Sequence, residues 1–313
     1  MPSYQDVQDA HARIRPHIIR TPVLSGEAIN AATGGEIFFK CENFQRIAAF
    51  KARGATNAVY SLDDATAARG VVTHSSGNHG AALAWAAKRR GIRAVVVVPE
   101  NAPKTKIANI RNQGAEIVFC APNAAAREAA AAKLVAERGM EMVHPFDDNR
   151  VIAGQGTAAL ELLDEVPDLD IVMAPLGGGG LMSGTTIAAK GRNANIRVVA
   201  GEPLGADDGY RGFTSGVRVA ENAPDTICDG LRTCLSERTF SIIRGHADGV
   251  VTATEENVVR AMRLTWDTLK IIIEPSCCPP LGAILEGKLD VRGKKVGIIL
   301  TGGNVDLDKL PWQ

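Results

Sequence analysis

Short apolar, β-branched runs alternate with alanine-rich stretches along this chain. GVVTHSS (70–76) reads as a strand and turn, and the NHGAALAWAAKRR that follows reads as a helix. IRAVVVVP (92–99) is a fully apolar strand, followed by a helix around KTKIANIRNQG. EIVFCA (116–121) is the next strand, before the strongly helical NAAAREAAAAKLVAERG. LDIVMAPLG (169–177), IRVVAGE (196–202) and KKVGIILTGG (294–303) are strands that run out into glycine or small residues. Continuous apolar strands between helices predict a parallel sheet covered on both faces. The strand–helix units are too irregularly spaced for a barrel, so the pattern predicts an open α/β fold. Ligands of such folds bind beyond the carboxyl ends of the strands, and the turns there are the places to look.

Composition narrows the function classes. A chain of 313 residues suits one large domain or two modest ones. Thirty-five basic and 35 acidic residues cancel, and no segment carries a basic run. A nucleic-acid or membrane-surface role therefore lacks electrostatic support. Aromatic residues, at 4%, are too scarce for a stacking platform. The N-terminus is polar and helix-like, without the layout of a secretory signal, and no apolar run is long enough to span a bilayer. The cysteines, at 41, 120, 228, 234, 277 and 278, form no CxxC pair. Disulfides and a zinc site are not expected, and a reducing cytoplasm fits.

Four turns carry candidate chemistry. Gly177, Gly178, Gly179 and Gly180 lie between a strand and a helix start. Glycines let backbone N–H groups approach an anion, and the helix N-terminus adds partial positive charge. The loop has no Lys or Arg, so one phosphate suits it better than a triphosphate; a tightly packed turn is the alternative. SSGNHG (75–80) offers donors suited to a carboxylate, or simple helix capping by Ser76 or Asn78. EPLGADD (202–208) holds oxygen ligands suited to Mg²⁺ or Ca²⁺, although by itself it reads more simply as a solvated acidic turn. Thr301, in LTGGNVDL, ends the last apolar strand and presents a neutral hydroxyl, to a ligand edge or to an ordinary strand exit.

AAFKARGA (48–55) precedes these turns, and the five stretches occur in one order. That order resembles the fold-type II pyridoxal-phosphate enzymes, within them the serine racemase, threonine/serine dehydratase and 3-hydroxyaspartate dehydratase group. The resemblance covers the chain from RTPVL (20–24) to GGNVDL. It implies two open parallel-sheet α/β domains, a small mobile one at 66–147 and a large one made of 1–65 plus 148–313, with the cofactor between them. It implies that Lys51 forms the Schiff base with pyridoxal 5'-phosphate, that Phe50 flanks the ring and that Asn78 bonds the phenolic oxygen. Gly177 to Gly180 would cradle the phosphate, and Thr301 would face the pyridine nitrogen. Ser75, Ser76 and His79 would surround the substrate carboxylate, with Ser76 either binding it or acting as an acid or base opposite the lysine. Glu202, Asp208 and the Ala206 carbonyl would hold Mg²⁺, Mn²⁺ or Ca²⁺, which reverses the local reading of that turn. A homodimer is a further family expectation.

The resemblance points to β-elimination from a β-hydroxy amino acid. Among the substrates of the group, 3-hydroxyaspartate is preferred here, with serine racemase or L-serine/L-threonine dehydratase as the alternative. Hydroxyaspartate adds a β-carboxylate that needs a cation or several donors. Arg127 and Arg232 are the candidates, set against a solvated helix face for the first and a loop ion pair for the second. Ala48 and Ala49 depart from the family's Thr-Gly-Ser/Ala before Phe-Lys and are expected to bear on substrate choice. Cys277 and Cys278, in another departure, EPSCCPPLGA, read as buried packing residues. Only ten residues follow Gly303, so no regulatory domain and no isoleucine feedback are expected.

Overall fold

The computed structural model of the chain describes residues 1–75 and 77–312, apart from the side chains of Thr105 and Ala124. Its strands are β1 (Val23–Leu24), β2 (Glu36–Cys41), β3 (Val71–His74), β4 (Ala94–Pro99), β5 (Glu116–Cys120), β6 (Glu141–Met142), β7 (Ile171–Pro175), β8 (Arg197–Pro203), β9 (Gly249–Ala253) and β10 (Lys295–Leu300). Its α-helices begin with α1 (Tyr4–Ile14), α2 (Glu27–Thr33), α3 (Lys51–Tyr60), α4 (Asp64–Arg69), α5 (Asn78–Arg90), α6 (Lys104–Asn112) and α7 (Ala124–Arg138). They continue with α8 (Asn149–Glu165), α9 (Gly180–Arg192), α10 (Asp208–Ser215), α11 (Glu237–His246), α12 (Glu255–Leu269) and α13 (Pro279–Leu285).

The strands form two sheets among the described residues. One has the order β1-β2-β10-β7-β8-β9, drawn from both ends of the chain, and the other β5-β4-β3-β6, drawn from its middle. All pairings are parallel except β1 with β2. The α/β fold read from the apolar pattern is therefore present, divided over two sheets.

β4 shows why these segments become central strands. Val95 and Val97 pack on one face with Leu134 of α7, while Val96 and Val98 pack on the other with Ile110 of α6. Alternate side chains leave opposite faces, so a strand covered on both sides must be apolar throughout. α5 covers the residues its sequence suggested and stops at Gly91, whose φ of 77° is left-handed.

β2 escaped the apolar pattern because Glu36 and Lys40 interrupt it. Lys40 is nonetheless fully buried, with its ammonium 2.9 Å from Glu161. β1 and β6 have two residues each, too few to show a period.

Three helices set the geometry of the site. α8 runs between α3 and α9, packing closely on both. A Cβ on Gly154 of α8 would stand 2.7 Å from the Gly54 Cα of α3. One on Gly184 of α9 would stand 2.3 Å from the Ile152 carbonyl oxygen of α8. Real Cβ atoms do not approach so closely, so glycine permits these contacts. Lys51 and Gly180 are the first residues of α3 and α9, so this packing brings the lysine and the glycine loop together.

Candidate active site

A cavity of about 1090 Å³ opens at the carboxyl ends of the strands, between the two sheets. Lys51 faces it from the start of α3, and its ammonium donates to the Pro145 carbonyl at 2.8 Å. Burial lowers this amine to about 8, against the opposing pull of the Glu274 carboxylate. An amine so placed is deprotonated in a useful fraction near neutral pH. The Phe50 ring lies beside it, 5.1 Å from Nζ to the centroid, and the Phe50 N–H donates to the Thr301 carbonyl at 2.9 Å.

Gly177 to Gly180 line the same cavity between β7 and α9. Gly179 has a φ of 85°, the left-handed region. A Cβ on Gly178 would come within 2.4 Å of the Phe146 ring, and one on Gly177 within 2.9 Å of the Leu231 Cα. The loop is shaped for bare backbone, and the first N–H groups of α9 have no partner within their own helix. This donor set, without a basic side chain in the loop, fits a single phosphate.

Asn78 starts α5, on the four-stranded side. Its Nδ2 donates to both oxygens of Glu274, at 3.3 and 3.2 Å, and its Oδ1 accepts from Asn304 at 3.0 Å. Thr301 is 3% exposed, its hydroxyl 3.2 Å from the Cys277 sulfur and 3.5 Å from Glu274 Oε1. A lysine, a phosphate-sized backbone cradle, an amide and a neutral hydroxyl thus share one cavity, and this set fits pyridoxal phosphate.

Ser75 lines the cavity, its Oγ accepting from the Gly77 N–H at 3.2 Å. His79 also lines it; Nε2 lies 3.2 Å from the Val143 carbonyl, and Nδ1 is buried without a partner. Burial, reinforced by the Lys51 charge, holds this imidazole well below its ordinary pKa, so it is neutral. Ser76 lies outside the described residues.

Arg127, on α7, lines the cavity on the four-stranded side, where its charge helps burial to keep His74 neutral. Arg232 does not join it. Its side chain is exposed, and Nε donates to the Thr226 carbonyl at 3.1 Å, outside the cavity lining. Ala48 and Ala49 are also not in the lining; Ala49 is fully buried and bridges Gly302, while Ile47 and Phe50 face the cavity. The backbone beside them is left-handed: Ile47 and Ala48 have φ of 56° and 52°. Cys277 and Cys278 are buried and, like the other four cysteines, free.

The acidic turn is a separate place. Glu202 is buried and accepts from the N–H groups of Gly209 and Tyr210 at 3.1 and 2.8 Å. Asp208 Oδ1 accepts from Asn222 at 3.0 Å, while Oδ2 is buried without a partner. Burial, then the charge of Asp208, raises the Glu202 carboxyl well above its ordinary value. Ala206 is buried in the turn between them. Two carboxylates and a carbonyl make a sparse set, and no group of three or more His, Cys, Asp or Glu that could hold a metal occurs among the described residues.

Sequence reasoning missed Glu274, Asn304 and the His144–Pro145–Phe146 segment. Glu274 stood in a stretch noted only for its cysteines. His144 to Phe146 lie in a loop with no periodic signal, and only the packing of α8 swings them over the lysine and glycines.

A family model described as pyridoxal-phosphate dependent enzyme matches residues 14–302. The chain is 50% identical to the beta-hydroxyaspartate dehydratase of Paracoccus denitrificans (strain Pd 1222), over 100% of this chain and 99% of that protein. It is 43% identical to the L-threo-3-hydroxyaspartate ammonia-lyase of Saccharomyces cerevisiae (strain ATCC 204508 / S288c), over 99% of this chain and 95% of that one. The crystal structure of serine racemase from Dictyostelium discoideum superposes with a TM-score of 0.94 at 49% identity, over 98% of this chain and 99% of that one.

Proposed function

The chain belongs to the pyridoxal-phosphate dependent enzymes, and from that premise we propose that it is a lyase acting on 3-hydroxyaspartate. The reaction removes the α-proton and the β-hydroxyl, and water then displaces ammonia to leave oxaloacetate. The observation that carries the substrate choice is Arg127, a cation in the same cavity as Lys51 and the glycine cradle. Likeness over the full chain to two proteins named for hydroxyaspartate supports it.

Bound there, pyridoxal phosphate supplies the electron sink for breaking the Cα–H bond and expelling the β-substituent. Lys51 would hold the cofactor and, as a free amine, would take the α-proton on Nζ. Gly177 to Gly180 bind the phosphate through backbone N–H groups. Phe50 would pack beside the ring, Asn78 would donate to its phenolic oxygen, and Thr301 would offer its nitrogen a neutral hydroxyl. Ser75, Ser76 and His79 would bind the α-carboxylate, with Ser76 either binding it or acting as an acid or base opposite the lysine. Arg127 binds the β-carboxylate through a charge-assisted pair. Glu202, Asp208 and the Ala206 carbonyl would hold a Mg²⁺, Mn²⁺ or Ca²⁺ ion, which would offset the cost of burying the two carboxyl groups; the orphaned Asp208 oxygen supports this.

The larger unit is 1–65 plus 148–313 and the smaller, mobile one 66–147. Closure between them excludes water from the cavity. The enzyme is a homodimer acting in the cytoplasm; six free cysteines are consistent with a reducing compartment. No helix among the described residues is long and apolar enough to cross a membrane.

The deciding experiment is ammonia release from the stereoisomers of 3-hydroxyaspartate, L-serine and L-threonine. The lyase reading requires the highest kcat/KM on a hydroxyaspartate isomer. Arg127→Ala is expected to erase that preference, at a cost of about 1.5–3 kcal/mol for the lost charged contact. Higher kcat/KM on serine would instead favour the second reading, serine racemisation and dehydration, which likeness to serine racemases supports.

A further inference from the structure

Glu274 is buried in the cavity wall, outside every role assigned above. Its N–H donates to the Gly302 carbonyl at 2.9 Å, which ties it to the end of β10. Its carboxylate meets the Asn78 amide, which comes from the other sheet's side of the cavity. Asn304 meets the same amide from the opposite direction. Its Nδ2 donates to Asn78 Oδ1 at 3.0 Å and to the Ile47 carbonyl at 2.8 Å.

These contacts dictate which way the Asn78 amide faces. Asn304 commits both hydrogens of its NH₂ group to two oxygens, so Asn78 must turn its oxygen toward Asn304 and its NH₂ toward Glu274. Asn78 Nδ2 lies 3.3 and 3.2 Å from the two carboxylate oxygens, so one N–H aimed between them satisfies both contacts and the second is open to a ligand. We propose that Glu274 and Asn304 are positioning residues that clamp Asn78 from both sides, with one N–H turned into the cavity for the phenolic oxygen of the bound cofactor. This rests on the cofactor-binding part of the function proposed above.

The clamp carries a pH dependence. Lys51 from α3, Lys106 from α6, Asp229 from the turn 229–231 and Cys277 from the turn 275–277 all bear on Glu274. Burial, with the Asp229 charge, pushes the Glu274 carboxyl up to about 7, while the Asn78 and Asn304 N–H groups oppose this. Protonation weakens the carboxylate as an acceptor, so the grip on Asn78 loosens as pH falls through that value.

The test is to titrate pyridoxal phosphate into cofactor-free protein and follow Kd and the absorption band of the bound cofactor from about pH 6 to 8. The wild-type band is expected to show a step with a midpoint near 7. Glu274→Gln is expected to lose that step and to bind about tenfold more weakly. Asn304→Ala is expected to keep the step but bind several-fold more weakly. A Glu274→Gln protein with wild-type Kd and the same step would overturn the proposal. Should that variant not fold, wild-type Kd and band in Asn304→Ala would overturn it equally. Neither readout uses the amino-acid substrate. A protein that behaves as expected here yet leaves 3-hydroxyaspartate untouched sinks the lyase reading and leaves the clamp standing.

Discussion

The Lys51 ammonium donates to the Pro145 carbonyl at 2.8 Å, joining the first residue of α3 to the segment between β6 and α8. The bond holds the amine in the cavity without pairing it to a carboxylate. Desolvation then wins, and the lysine sits at about 8 instead of 10.5.

Amine labelling of the cofactor-free protein is therefore expected to reveal one lysine reacting with a midpoint near pH 8. The unfolded chain holds this proton up to the ordinary lysine value, whereas the folded chain releases it earlier. Lys51 thus makes stability rise with pH between the two values. Lys51→Ala is expected to abolish both the labelling and the cofactor colour. A labelling midpoint above pH 10 would contradict the desolvated environment.

Gly154→Ala is expected to destabilise the protein by about 1–3 kcal/mol, because its Cβ would meet the Gly54 Cα at 2.7 Å. Separation of α3 from α8 moves Lys51 relative to the glycine loop, so cofactor affinity should fall together with the denaturation midpoint. Unchanged values of both would show that the helices slide apart freely.

Arg53 is fully buried and bridges Glu42, at 2.7 Å, to Glu161, at 2.8 Å. Removing one partner strands the others, so Arg53→Ala is expected to cost about 3–5 kcal/mol in chemical denaturation. Burial alone would raise the Glu161 carboxyl, but nearby His11, 3.6 Å away, and the hydrogen bonds and charge of Arg53 outweigh it and hold it well below the ordinary range. Its stabilising contribution is present above the ordinary carboxylate pKa and fades as pH falls toward the folded value. Glu161→Gln should flatten the acid limb of the stability curve.

Mg²⁺ at about one hundred times its Kd is expected to stabilise the protein by about 2.7 kcal/mol. Asp208→Asn should abolish the increment in melting temperature. Equal melting temperatures with chelator and with cation in the wild type would remove the cation from the proposal.

The polar interruptions that hid β2 show where sequence reading stops. Lys40 looks like a surface residue until Glu161, far along the chain, is placed beside it. Arg127 and Arg232 were both candidates for a substrate's β-carboxylate. Loop geometry directs Arg232 to the Thr226 carbonyl, outside the lining that includes Arg127. Glu274 offered no local sign, because its significance lies in an amide 196 positions away.

The amino-acid sequence by itself determined the element types, the parallel α/β architecture and the chemistry available at each strand end. Apolar strands, glycine turns and a lysine before a helix are local properties, set by backbone sterics and burial. Tertiary structure alone decided which of these chemistries share a cavity. Close packing of α3, α8 and α9 across glycines brings Lys51 to the phosphate-shaped loop. Desolvation there sets the charge of Lys51, and a carboxylate and two amides from three distant segments meet in the same cavity.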